Sequence, residues 1–139
     1  MKIEHTIDID ASPERVWALT LDVESWPLHT PTMESVERLD DGPLAVGSKA
    51  LIKQPGQRAK VWTVSELEHG TAFAWGTRAF GVAMTGSHYI APRGDSTTQT
   101  LGVDLDGGMA SVLGPLLRRS ILAAITKENE GFKSAAEAD

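Results

Sequence analysis

The chain contains no cysteine, which removes thiolate nucleophiles, disulfide exchange, iron–sulfur clusters and cysteine-ligated zinc from its possible chemistry. It has no apolar run long enough to cross a bilayer, and Met1-Lys2-Ile3-Glu4-His5 lacks the apolar core of a signal peptide. The expected location is therefore cytoplasmic, with no membrane insertion. Cations are the minority charge, 13 Lys and Arg against 19 Asp and Glu for a net charge of -6. Such a balance repels nucleic-acid backbones and anionic surfaces on average, so no nucleic-acid partner is expected. The acids crowd toward the N-terminal end but are scattered among apolar residues, the pattern of a solvated face.

Several catalytic signatures are also missing. No pair among His5, His29, His69 and His88 has HExxH or His-x-His spacing, so no local metal site is prearranged and no metal is expected. No Gly-x-Ser-x-Gly occurs, and Ser87 and His88, being adjacent on a strand, face opposite ways. The Gly pair in Asp106-Gly107-Gly108-Met109 has no following Lys-Ser/Thr and reads as a turn, not a phosphate loop. Asp104 and Asp106 alternate with Leu101, Val103 and Leu105, which places them on the solvated face. No cofactor is implied.

What remains is one domain, residues 1–139, with 41% hydrophobic residues. A chain this long buries roughly two-thirds of its unfolded surface, enough for a core without staples. Ile3, His5, Ile7 and Ile9 alternate with polar residues, as in a strand with one buried face. Ser12 as N-cap and Pro13 in the first turn open a short helix burying Val16 and Trp17. A second helical turn follows over Asp22 to Trp26, closed by Pro27 and Pro31. Six strands are then expected, Thr32–Leu39, Gly47–Gln54, Arg58–Glu68, Thr71–Arg78, Gly81–Ala91 and Thr97–Asp106, with short links that imply antiparallel pairing. After Gly107-Gly108 the apolar period becomes three and four, from Met109 through Ile125 to Phe132, which predicts one long amphipathic helix to about Ala136. Gly114-Pro115 interrupts that pattern, and a kink or short break is expected there.

The order of elements describes an α+β fold, a seven-stranded antiparallel sheet wrapped around a long C-terminal helix with two short helices after the first strand. A strongly twisted sheet touches a single helix only in part, and the gap between them suits an apolar pocket.

Ala11-Ser12-Pro13-Glu14-Arg15-Val16-Trp17, Trp26-Pro27 with Pro31, Val46-Gly47-Ser48, Trp62-Thr63-Val64, Phe73-Ala74-Trp75, Gly86-Ser87-His88 and Glu128-Asn129-Glu130-Gly131-Phe132-Lys133 run in one order over nearly the whole chain. In that order the chain resembles the polyketide cyclase/dehydrase-like branch of the START/Bet v 1 (SRPBCC) superfamily, whose fold is the helix grip. The resemblance implies a deep cavity between sheet and helix for hydrophobic small molecules. It does not imply one activity, because carriers, cyclases, hydrolases and chaperone cofactors share the fold.

Strand parity places Phe73 and Trp75 on one face, and Met84 and His88 on one face, while Leu113 and Leu117 lie on the helix stripe. These six are the expected ligand-binding residues, for a lipid, quinone or aromatic polyketide-like molecule. His88 reads equally as a satisfied wall residue and as a polar anchor, and it is the only catalytic candidate. His5 lies on an apolar face near the terminus and reads as structural. Trp17 is expected in the core and Trp26 at the fork of the short helices, with Met33, Met84 and Met109 as adaptable wall residues. Parity leaves Trp62 between core and convex surface. Two alternatives to simple binding stand: a cyclase or dehydratase using the same cavity, and a protein-interaction or chaperone-cofactor role with an apolar patch at convex positions such as Trp62. Either a monomer or a homodimer fits.

Overall fold

The computed structural model describes residues 1–138. Strand β1 (Lys2–Ile9) buries Ile3 and Ile9 and turns at Asp10-Ala11 into helix α1 (Pro13–Leu21). Ser12 caps α1, its Oγ accepting from the Arg15 N–H at 3.2 Å, and Val16, Trp17 and Thr20 face inward. A 3-10 helix over Val23–Leu28 follows and includes Pro27 instead of stopping before it, since the ring's fixed φ suits a 3-10 turn.

The sheet is completed by β2 (Ser35–Arg38), β3 (Lys49–Lys53), β4 (Lys60–Glu68), β5 (Ala72–Ala79), β6 (Val82–Arg93) and β7 (Ser96–Asp106). Its order is β1-β7-β6-β5-β4-β3-β2, every pair antiparallel. The expected α+β helix grip is therefore the observed fold. The β5–β6 turn has two residues, Phe80 at φ 54 and Gly81 at φ 74. Positive φ at both central residues matches the twist of a hairpin, but it is costly for a phenylalanine.

Helix α2 (Ala110–Glu137) runs unbroken through Pro115. A break is avoided because the missing proline N–H orphans only the Ser111 carbonyl, in a turn where Ser111 and Pro115 are both exposed and water can serve as partner. The helix packs closest along β1 and β7, and its Phe132 reaches the main core beside His88 of β6. Its C-terminal end is tied to α1 by Arg15, whose guanidinium donates to the carbonyls of Ala135, Ala136 and Ala138. Gly131 lets the loop after the 3-10 helix lie directly on α2, because a Cβ there would overlap the His29 carbonyl.

The main core joins Trp26, Trp62, Phe73, Trp75 and Phe132 with Val16, Trp17, Val36 and Ile90. Trp62 is thus inside, 7% exposed, on the concave face with Ala50 opposite it on β3. This decides what parity left open and takes Trp62 off the list of convex positions. Lys60 and Val64 share its face, and Lys60 sits at the strand's end where its ammonium reaches out to Gln57, so it says nothing about burial further along.

Candidate functional site

Antiparallel registry brings Phe73 opposite His88 and Trp75 opposite Gly86 on β5 and β6. Gly86 leaves open the space into which the indoles of Trp62 and Trp75 lean; a Cβ there would touch both at 3.9 Å. Trp26 descends from the 3-10 helix into the middle of this face, its Nε1 donating to the Leu19 carbonyl at 3.1 Å. Its ring centroid stands 4.8 Å from His88, 5.1 Å from Trp75, 5.8 Å from Phe73 and 5.5 Å from Phe132 of α2. His88 thus occupies an aromatic box closed by Trp26, Phe73 and Phe132.

The six sequence-predicted residues divide. Phe73, Trp75 and His88 meet in the main core and are at most 5% exposed, so they form a packed floor. Met84 is half-buried, touches that floor and also packs with the cluster that includes Leu113. Leu117 is 39% exposed and belongs to neither cluster. Leu113 packs with Val82 of β6 and Leu105 of β7, while Leu117, one turn on, stays exposed. Two hollows open elsewhere on the surface. One of about 710 Å³ lies between α1 and the β4–β5 and β6–β7 turns, beside Trp17 and His69. The other, of about 380 Å³, lies between Met1, Leu105 and the start of α2. None of the six lines either.

Electrostatically, burial depresses the His88 pKa from its ordinary 6.5 to about 3, so the ring is neutral at pH 7. Its Nδ1 is buried with no hydrogen-bond partner, and so is the Nε1 of Trp62 on the same face. A donor or acceptor left in this state costs about 1–3 kcal/mol.

The spacing of histidines gave no signal for a second polar group. Glu128, partly buried on α2, accepts from the Thr32 hydroxyl at 2.7 Å, and Thr32 in turn shares a 2.9 Å hydrogen bond with Thr30. Burial pushes the Glu128 carboxyl up to about 7, the Thr32 hydrogen bond opposing it. Glu128 stands four residues before Phe132, one helical turn from the box around His88. Its signal in the sequence was a carboxylate falling within the apolar stripe of the long helix.

His5 is satisfied, as its structural reading expects. Its Nδ1 lies 3.0 Å from the Asn129 amide nitrogen, which also donates to the carbonyls of His5 and Gln99, while Gln99 donates to the Asn129 Oδ1 at 2.9 Å. Asp104 is half-exposed beside the N-terminal ammonium, and Asp106 is exposed. No group of three or more His, Asp or Glu side chains is placed to hold a metal ion among the described residues, and no helix there is long and apolar enough to cross a membrane.

No curated protein matches the chain. Solved structures share its fold at low identity. Ginseng major latex-like protein 151 from Panax ginseng superposes with a TM-score of 0.81 at 13% identity over 99% of this chain and 98% of that one. A START superfamily protein from Mycobacterium smegmatis gives 0.79 at 16% over 98% and 97%. The di-domain ARO/CYC protein StfQ of the steffimycin biosynthetic pathway gives 0.75 at 13% over 98% of this chain and 50% of that one. At such identities the likeness is one of fold. The family model for polyketide cyclase/dehydrase and lipid transport, by contrast, matches residues 1–137, taking in the aromatic floor, His88 and Glu128 together, and the chain belongs to that family.

Proposed function

We propose that the protein binds a small hydrophobic molecule between the concave face of the sheet and the Leu113–Leu117 side of α2. The observation that carries this reading is the pair of unpartnered polar atoms on that face, His88 Nδ1 and Trp62 Nε1, set among aromatic rings. A ligand with a carbonyl or hydroxyl would supply what they lack, while its apolar body would pack on Trp75, Met84, Leu113 and Leu117. Met84 and Leu113 form the adjustable part of the wall, since both are incompletely packed. Titration with menadione, followed by tryptophan fluorescence, is expected to saturate at one equivalent. Leu113→Trp, which fills the mouth, is expected to weaken it at least ten-fold, and His88→Phe to weaken it roughly ten-fold through the lost polar contact. Failure of menadione and oleate alike to saturate would refute the reading.

A cyclase or dehydratase reading draws support from Glu128. A general acid or base works best with a pKa near the operating pH, which favours this carboxyl over His88, neutral and weakly basic at about 3. In such a reaction Glu128 would take a proton from the carbon between two ketones and return it to the departing hydroxyl, with Thr32 orienting the carboxyl. Glu128→Gln would then abolish aromatisation of a poly-β-ketone while leaving its binding within a few fold; unchanged turnover would remove this reading.

A further inference from the structure

The antiparallel order puts the β3–β4 and β5–β6 turns, the end of β7 and the start of α2 at one end of the molecule, and the β4–β5 and β6–β7 turns with the C-terminus of α2 at the other. Exposed apolar side chains occur also at Leu28, Leu39 and Val46, but the first end holds a set on adjoining elements. Phe80, 85% exposed, is held out on the left-handed backbone of the β5–β6 turn. The Gly81 carbonyl behind it accepts from the N–H of Met109, 42% exposed, at 3.3 Å, and Val112 and Leu116 follow on α2 at 54% and 74%.

Charge is divided in the same way. The first end carries Lys53, Arg58 and Lys60 around the β3–β4 turn, Arg78 beside Phe80, and Arg118 and Arg119 on α2, which has no acidic residue before Glu128. Arg119 lies on the face of Val112 and Leu116, at i+7 and i+3. The acids at this end are Glu4, beside Lys2 at 3.9 Å, Glu34, paired with Lys53 at 3.2 Å, Asp104, beside the N-terminal ammonium at 3.5 Å, and exposed Asp106. Arg58, Lys60, Arg78, Arg118 and Arg119 make no ion pair among the described residues. The other end holds Asp8, Asp10, Glu14, Glu68, Asp95 and Glu137 against Arg15, Arg93 and Lys133, an acidic balance.

We infer that this end docks on an anionic lipid surface, with Phe80, Val112 and Leu116 entering the headgroup layer and the unpaired arginines and lysine meeting the lipid charge. An aromatic and branched aliphatic set ringed by unpaired cations is the chemistry of an interfacial anchor, and the acidic far end would turn the molecule so that only this end approaches. Leu113 and Leu117 are on the adjoining side of the same helix turns, so, on the binding reading proposed above, the docked orientation brings that site toward the membrane.

The test is co-sedimentation of the whole protein with phosphatidylcholine vesicles, with and without about 30% phosphatidylglycerol. Binding is expected only to the phosphatidylglycerol vesicles, and salt raised to about 0.5 M should abolish most of it. The double substitution Arg78→Gln/Arg119→Gln should weaken partitioning roughly thirty-fold, about five-fold per cation near the surface. Phe80→Ser with Leu116→Ser should weaken it at least as much, with an unchanged circular dichroism spectrum because both side chains are exposed. Absence of binding to anionic vesicles, or equal binding by the variants, overturns the inference. So does a solution dimer of the wild type that dissociates on the Phe80→Ser and Leu116→Ser substitutions, since the face would then belong to a second copy. Ligand binding measured without vesicles reads the groove separately from this surface.

Discussion

His88 and Glu128 pull the pH dependence of stability in opposite directions, and the two effects are nearly equal between pH 7 and 5. The His88 pKa falls from 6.5 to about 3 on folding. The unfolded chain therefore takes up the proton first on acidification, and stability present above pH 6.5 is lost as pH falls. At about 1.4 kcal/mol per unit, the interval from 6.5 to 5 costs about 2 kcal/mol. The Glu128 pKa rises from 4.5 to about 7. Its contribution is fully present below pH 4.5 and lost as pH rises through 7, so acidification from 7 to 5 adds about 2 kcal/mol. Urea unfolding of the wild type should show little change from this pair over the interval. His88→Gln should gain about 2 kcal/mol relative to wild type on going from pH 7 to 5, Glu128→Gln should lose about 2, and the double variant should return to the wild-type slope. The readout is the change with pH, so an overall loss of stability in any variant does not confuse it. Identical slopes in all four proteins would show that neither group is buried in the ionisation state described.

Gly131→Ala sets helix propensity against a steric clash. Alanine should stabilise a helix by about 1 kcal/mol, but its Cβ overlaps the His29 carbonyl and would push away the loop that carries Thr30 and Thr32. Overpacking of this kind costs about 1–3 kcal/mol, so a net loss is expected in a urea melt, together with weaker burial of Trp26 seen in its fluorescence; a net gain of about 1 kcal/mol would mean that the loop yields freely. Asn129→Ala removes a fully buried amide that joins His5 and Gln99. It leaves the Gln99 amide without its acceptor and should cost about 1–3 kcal/mol by the same melt; a loss below about 0.5 kcal/mol would mean that water replaces it.

The seven strands and the long helix were legible because their apolar residues recur at two and at three to four, and each turn is marked by Gly, Pro or Asp. The inward direction of His88 followed from the parity of Val82, Met84 and Ile90 and is observed. Trp62 was not legible, since neither Lys60 nor Val64 distinguishes a face near the end of a strand. Nor was Glu128, although it stands between Ile125 and Phe132 in the apolar stripe. A lone carboxylate there can be solvated or sealed, and only the loop bearing Thr32, 96 residues away in sequence, decides which.

The charge balance shows the same division. Local spacing was sufficient for the cysteine-free, acidic helix grip and for the faces of its strands, because periodicity acts between near neighbours. It said nothing of which buried nitrogen lacks a partner, which histidine is paired, or that a scattered net charge of -6 resolves into an acidic end and a basic, apolar one. Those are consequences of which remote segments meet, since desolvation, pairing and surface potential depend on distance in space and not along the chain.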